Sequence, residues 1–121
     1  MKRDMNLIRE ILKWAESQEH GYTGGNPDVE TYSDEEVAYH VYLMSQAGLV
    51  NAIDTGSMDS ESPCALLLSL TWSGHEFLDA AKDDTIWTKA KETILKPGVS
   101  MTFNFLIEWL KTEAKTKLGL P

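Results

Sequence analysis

Between Lys13 and Lys82 the chain carries no lysine and no arginine, while twelve acids fall in the same stretch. A surface that holds DNA replaces phosphate counterions with such cations, so this stretch lacks the means for ordinary phosphate contact. Cysteine is nearly absent. Cys64 stands alone, which excludes an internal disulfide and makes a reducing compartment the default. Long apolar runs are missing too. The longest is Cys64 to Leu68, far short of the ~20 residues that a membrane-spanning helix needs. Glu10 and Lys13 interrupt any apolar run after the basic start Lys2-Arg3, so no secretory signal is expected. The expected location is cytoplasmic. There is no internal repeat and no low-complexity segment.

What is present is ordinary globular material. The 121 residues are 42% hydrophobic and 25% charged, enough for one domain with a real core. The charge falls in blocks: +2 over residues 1–13, −12 over 14–81 and +2 over 82–121, for a net −8. An acidic middle repels nucleic acid and anionic membranes. It serves solubility or a basic partner.

The first helix is predicted from about Asp4, as N-cap, to Gln18. Leu7, Ile8, Ile11, Leu12 and Ala15 share one face, joined by Trp14. Residues 21–32 form a loop rich in breakers, Gly24-Gly25 and Asn26-Pro27, with a short strand expected at Val29–Tyr32. Ser33-Asp34-Glu35-Glu36 reads as a capping box. The helix it opens turns Val37, His40 or Val41, Met44 and Ala47 inward and stops at Gly48. Two strands follow, Leu49–Ile53 and Cys64–Thr71, around the polar loop Asp54–Pro63. The second strand is apolar on both sides and is expected to be covered on both. A third helix starts near Thr71 or Ser73. A fourth follows a cap at Asp83-Asp84-Thr85 and carries Ile86, Trp87, Ala90 and Ile94 to Pro97-Gly98. Ser100 is placed as the cap of a last helix reaching Lys117. Its core stripe is Phe103, Leu106, Ile107, Leu110 and Ala114, with Met101, Phe105 and Trp109 beside it.

Ala47-Gly48-Leu49-Val50 after the capped helix, and Leu70-Thr71-x-x-Gly74-x-x-Phe77-Leu78 after the hairpin, resemble the winged-helix fold. A narrower set of motifs is spread over residues 1 to about 95. It comprises Met1-Lys2-Arg3-Asp4-Met5, Ser33-x-Glu35-x-Val37-Ala38-Tyr39-His40, Leu70-Thr71-Trp72-x-Gly74-His75-Glu76-Phe77-Leu78-Asp79 and Asp83-Asp84-Thr85-x-Trp87. This set resembles the bacterial and phage family called domain of unknown function 2513. The resemblance implies a small, winged-helix-like, cytosolic protein often encoded in phage or prophage regions. It brings no catalytic or binding residues. One departure from a DNA-binding winged helix is visible: the loop 21–32 stands where a helix should precede the recognition helix.

The candidate chemistries divide sharply. Reading DNA with the helix at 33–47 would turn Asp34-Glu35-Glu36 toward phosphates, with Asp54, Asp59 and Glu61 on the wing, so DNA is not expected there. Lys2, Arg3 and Arg9 with the late lysines leave a separate basic face open. His20, His40, Cys64 and His75 lack the spacing of metal ligands. His75 and Asp79, four apart, suit a surface pair. No catalytic residue, metal or cofactor is expected. Protein interaction has the best support. Asp34, Glu35, Glu36, Asp59 and Glu61 are candidate partner-binding residues. Phe105 and Trp109 are candidates for a homodimer interface on the last helix, with Trp72 and Trp87 expected to be partly exposed.

The expected architecture is therefore α+β and mostly α: one domain, with a winged-helix-like core over 1–82, a two-stranded hairpin, and a C-terminal helical extension over 83–121. The expected function is a non-enzymatic protein-interaction module whose acidic face engages a basic protein. The alternative is a transcriptional regulator that binds DNA through a different, basic surface.

Overall fold

Helix α1 (Met5–Glu16) begins where Asp4 turns its carboxylate back onto the amides of Asn6 and Leu7. The computed structural model, which describes residues 1–120, continues with α2 (Asp34–Gln46), β1 (Val50–Asp54), β2 (Ala65–Leu70), α3 (Trp72–Ala81), α4 (Asp84–Thr93) and α5 (Phe103–Lys117). The fold is α+β and mostly helical. Its strands form one two-stranded antiparallel sheet. The chain divides into two compact units, with the boundary between Glu76 and Phe77.

In the first unit α1 packs on α2, and both lie against the hairpin. Leu7, Ile8, Ile11, Leu12 and Ala15 of α1 are buried, as their spacing predicts. On α2 both His40 and Val41 are buried, together with Val37 and Met44. Ala47 is exposed instead, because α2 ends at it. The ending is a Schellman motif: Leu49 N–H donates to Met44 O at 2.9 Å and Gly48 N–H to Ser45 O at 3.1 Å. Gly48 supplies the left-handed turn with φ 77°.

The two motifs that flank the hairpin meet here. Thr71 N–H donates to Leu49 O at 3.1 Å, and its hydroxyl donates to Gly48 O at 2.5 Å. The same hydroxyl accepts from Gly74 N–H at 3.0 Å and so caps α3. A side chain at position 74 would have its Cβ well inside van der Waals contact with Leu49 O. Gly74 lets the start of α3 lie against the end of α2, which is why a glycine stands three residues after the threonine.

The hairpin pairs Val50 with Leu70, Asn51 with Ser69, Ala52 with Leu67, Ile53 with Leu66 and Asp54 with Ala65. Leu68 is left over as the extra residue of a β-bulge. Ala65 and Leu67 are buried while Leu66 is exposed, so only one face of β2 is fully covered.

The expected strand at Val29–Tyr32 does not form. Thr31 takes φ 73°, and Tyr32 N–H closes a turn onto Val29 O at 3.1 Å. An earlier part of the loop lies along β2 instead. Asn26 Nδ2 donates to Ala65 O and Leu67 N–H donates to Asn26 Oδ1, both at 2.9 Å. Thr23 N–H donates to Leu68 O at 3.0 Å, and its hydroxyl donates to Leu67 O at 2.5 Å. One amide side chain thus makes the bonds that a neighbouring strand would make.

In the second unit Asp83 caps α4 by accepting from Ile86 N–H at 2.9 Å, and Lys117 reaches its other carboxylate oxygen. Phe77 and Phe103 pack with tilted rings, centroids 5.1 Å apart. Trp87 is buried, 1% exposed, not partly exposed as expected. It lies on the buried face of α4 beside Ile86 and Ala90. The cap of α5 is Thr102, not Ser100: its hydroxyl accepts from Phe105 N–H at 3.1 Å. A turn closed by Val99 N–H onto Lys96 O precedes it, and Ser100 and Met101 lie between that turn and the cap. Leu106 and Leu110 are fully buried on α5, with Phe103, Ile107 and Ala114 half-buried beside them.

Candidate partner-binding surface

The first turn of α2 is built as the sequence predicts. Glu36 N–H donates to Ser33 Oγ at 3.1 Å, and Ser33 N–H donates back to Glu36 Oε1 at 2.9 Å. Glu36 is therefore half-buried and occupied by its own helix, whereas Asp34 and Glu35 are exposed. Three acids at a helix N-terminus suit the positive end of its dipole.

The loop between the strands folds on itself. Thr55 N–H donates to Cys64 O at 3.1 Å, Gly56 N–H to Asp54 Oδ1 at 2.8 Å and Ser60 N–H to Ser57 O at 3.1 Å. Asp59 and Glu61 stand exposed on that loop. Ser62, next to Glu61, donates from its hydroxyl to Glu35 Oε1. The structure thus joins the α2 turn to the hairpin loop and brings Glu35 beside the stretch that carries Glu61. Asp59 lies further along the same loop.

The first unit holds four bases and thirteen acids, net −9, and the second holds seven bases and six acids, net +1. Of the four bases, Arg9 is buried, 4% exposed, and lies 3.7 Å from Glu10. Lys2 and Arg3 are exposed, but Arg9 is withdrawn from the basic face on which the sequence placed it. The remaining base, Lys13, lines an open depression of about 330 Å³ together with Glu10, Trp14, Pro27, Asp28 and Glu30.

The other titratable candidates have local structural uses. His40 Nε2 accepts from Asp4 N–H at 2.9 Å, which leaves Nδ1–H to donate to Glu36 O at 2.8 Å. That geometry ties α2 to the start of α1. Tyr32 donates its hydroxyl to Asp4 Oδ2 at 2.7 Å. Burial, and then this bond, hold its pKa above the usual phenol value. His75 faces Glu16 at 3.8 Å, not Asp79, which is 3.8 Å from Lys82. Cys64 Sγ accepts from the Thr55 hydroxyl at 3.4 Å. Among the described residues no group of three or more His, Cys, Asp or Glu is arranged to hold a metal ion. No helix among them is long and apolar enough to cross a membrane.

Phe105 on α5 is 51% exposed. Trp109 is half-buried, and Lys89 Nζ lies 6.0 Å from its ring centroid while also pairing with Glu113 at 2.8 Å. The most exposed tryptophan is Trp72, 81% exposed at the start of α3. The roles of Asn26 and Thr23 are not visible in the sequence, where the loop shows only its breakers. Their partners lie more than forty positions away in most cases.

Comparison with known proteins gives two matches. A family described as "Hypothetical protein (DUF2513)" matches residues 2–100. A protein of Haemophilus influenzae described as "Uncharacterized protein" is 39% identical over 113 residues, which cover 93% of this chain and 94% of its own. No solved structure matches.

Proposed function

Because this chain belongs to the domain of unknown function 2513 family, whose description names no activity, we propose from its own geometry that it is a non-enzymatic, winged-helix-like interaction module. Its acidic face binds a basic protein, and phage or prophage derivation belongs to the same reading. The carrying observation is the Ser62–Glu35 hydrogen bond. It links the two segments that would face DNA in a DNA-binding winged helix, and both carry acids here. The order α1, α2, hairpin, α3 supports the winged-helix reading. All five candidate acids lie inside the matched stretch 2–100, whereas Phe105 and Trp109 lie beyond it.

Such a face attracts cations over a range set by salt, about 10 Å at 0.1 M, and complementary charge steers association. The test compares two sets of exposed acids in binding to a fluorescent lysine decapeptide at low salt. Neutralising Asp34, Glu35, Asp59 and Glu61 to their amides is expected to weaken binding by about tenfold. Neutralising Glu19 and Glu76, also exposed, is expected to change it by less than about twofold. Equal effects of the two sets would overturn the reading. Duplex DNA is the competing arm: tight binding that vanishes on Lys2→Ala with Arg3→Ala would establish the transcriptional regulator instead. Homodimerisation through α5 belongs to the same proposal and rests on Phe105. Sedimentation that finds a dimer in the wild type and a monomer in Phe105→Ala supports it, and a wild-type monomer removes it.

A further inference from the structure

We propose that the free edge of β1, at Ala52 and Asp54, is a docking site where an extended basic segment of a protein partner adds to the sheet as a third strand. This rests on the acidic-face reading above and specifies how that face is engaged.

The direction of each backbone group follows from the pairing. Thr55 lies opposite Cys64 and donates to its carbonyl, so the bonded pairs run through Thr55–Cys64 and Ile53–Leu66. The alternate pairs, Asp54–Ala65 and Ala52–Leu67, turn their N–H and C=O groups away from the partner strand. On β2 three of the four outward groups are closed: Ala65 O, Leu67 N–H and Leu67 O bond to Asn26 and Thr23. On β1 the equivalent groups of Ala52 and Asp54 have no backbone or side-chain partner among the described residues. Ala52 is half-exposed and Asp54 exposed, so both are within reach.

Proteins normally guard such an edge with lysine, proline, a bulge or a cover. β1 holds neither lysine nor proline, and the extra residue of the bulge is on β2. The β2 edge is largely covered by Asn26 and Thr23, and the β1 edge is left open. An open edge with alternating side chains is the receptor in strand-addition recognition.

Charge selects the occupant. Asp54 stands on the edge itself, Asp59 and Glu61 on the loop that follows, and no lysine or arginine lies between residues 14 and 81. A second copy would bring two units of net −9 edge to edge. A basic strand meets no such repulsion. Ile53, 52% exposed, lies on the opposite face of β1 from Asp54. The fitting segment is therefore an extended one that alternates apolar with basic side chains.

The experiment titrates a labelled decapeptide of alternating lysine and valine into the full chain. It compares this with the same peptide N-methylated at alternate residues, in both registers. Methylation keeps the charge and removes backbone donors. The unmodified peptide is expected to bind about tenfold more tightly than either methylated form, and to protect the Ala52 and Asp54 amides from hydrogen exchange. Ala52→Pro is expected to abolish the difference, because that N–H points away from β2 and the ladder keeps its bonds. Equal binding of methylated and unmodified peptides to the wild type would overturn the strand-addition mode and leave the acidic-face reading standing. Absence of binding by any of the peptides at low salt would overturn both. A dimer without peptide that Ala52→Pro dissolves would show a second copy as the occupant and overturn the proposed partner.

Discussion

Gly74 marks the place where one methyl group decides whether the hairpin can close. Its backbone lies against Leu49 O, and the Thr71 hydroxyl bridges Gly74 N–H and Gly48 O beside it. Any Cβ here meets a backbone atom rather than the movable end of a side chain, so the strain has no cheap outlet. Gly74→Ala is expected to destabilise the chain by about 3 kcal/mol or more, measured by urea denaturation. Gly74→Ala within about 0.5 kcal/mol of the wild type, the usual range for inert surface changes, would refute the packing argument. The sequence exposes this residue well, since the threonine-to-glycine spacing is local. It hides the reason, because Leu49 is distant along the chain.

At the scale of elements, local signals mark helix starts and long-range bonds decide the rest. Asp4, Ser33 and Asp83 each cap the helix the sequence assigns to them, because a cap involves residues only two or three apart. The expected strand at 29–32 fails because Thr31 breaks the extension and Asn26 already serves β2. Ser100 loses the α5 cap to Thr102, whose hydroxyl accepts from the Phe105 amide. The first outcome depends on a partner strand that no local pattern names, whereas the second rests on Thr102 and Phe105, three apart. Asp83 offers a pH test of an element end. The Lys117 side chain first, and then the Ile86 amide, hold its carboxyl below the usual range. A depressed carboxylate contributes stability above its unfolded pKa, and that contribution is lost as pH falls through the folded pKa. At neutral pH the melting temperature is expected to fall in the order wild type, Asp83→Asn, Asp83→Ala. Asparagine keeps the cap and loses the ion pair, while alanine loses both. As pH drops through the folded pKa the wild type and Asp83→Asn should converge. A gap that stays constant with pH would show that the ion pair adds nothing.

For the molecule as a whole, charge is divided unevenly between its two units, net −9 before Phe77 and +1 from there on. Like charges repel in the folded state, and salt screens them. The melting temperature is therefore expected to rise between ~10 mM and ~0.5 M sodium chloride, as the screening length falls from about 30 Å toward a few ångströms. Amides at Glu35, Asp59 and Glu61 should flatten that rise. A melting temperature that falls with salt would show that attractive pairs, such as Lys89–Glu113 and Lys117–Asp83, outweigh the repulsion. Of the proposed surface, the acids were legible from the lysine-free stretch alone. The withdrawal of Arg9 and the open edge of β1 were not. Burial of one arginine and the direction of strand amides arise only when distant segments meet.

Asn26 gives the sheet a property that concerns inheritance. A third strand would guard the outer groups of Ala65 and Leu67 with main-chain atoms, which survive a change of side chain. Here a single side chain guards Ala65 O and Leu67 N–H. In any descendant of this chain, one altered codon at position 26 exposes those groups as well. The margin beside β2 is then held by Thr23 alone, at Leu67 O and Leu68 O, so a single mutation loosens the guarded side of the sheet.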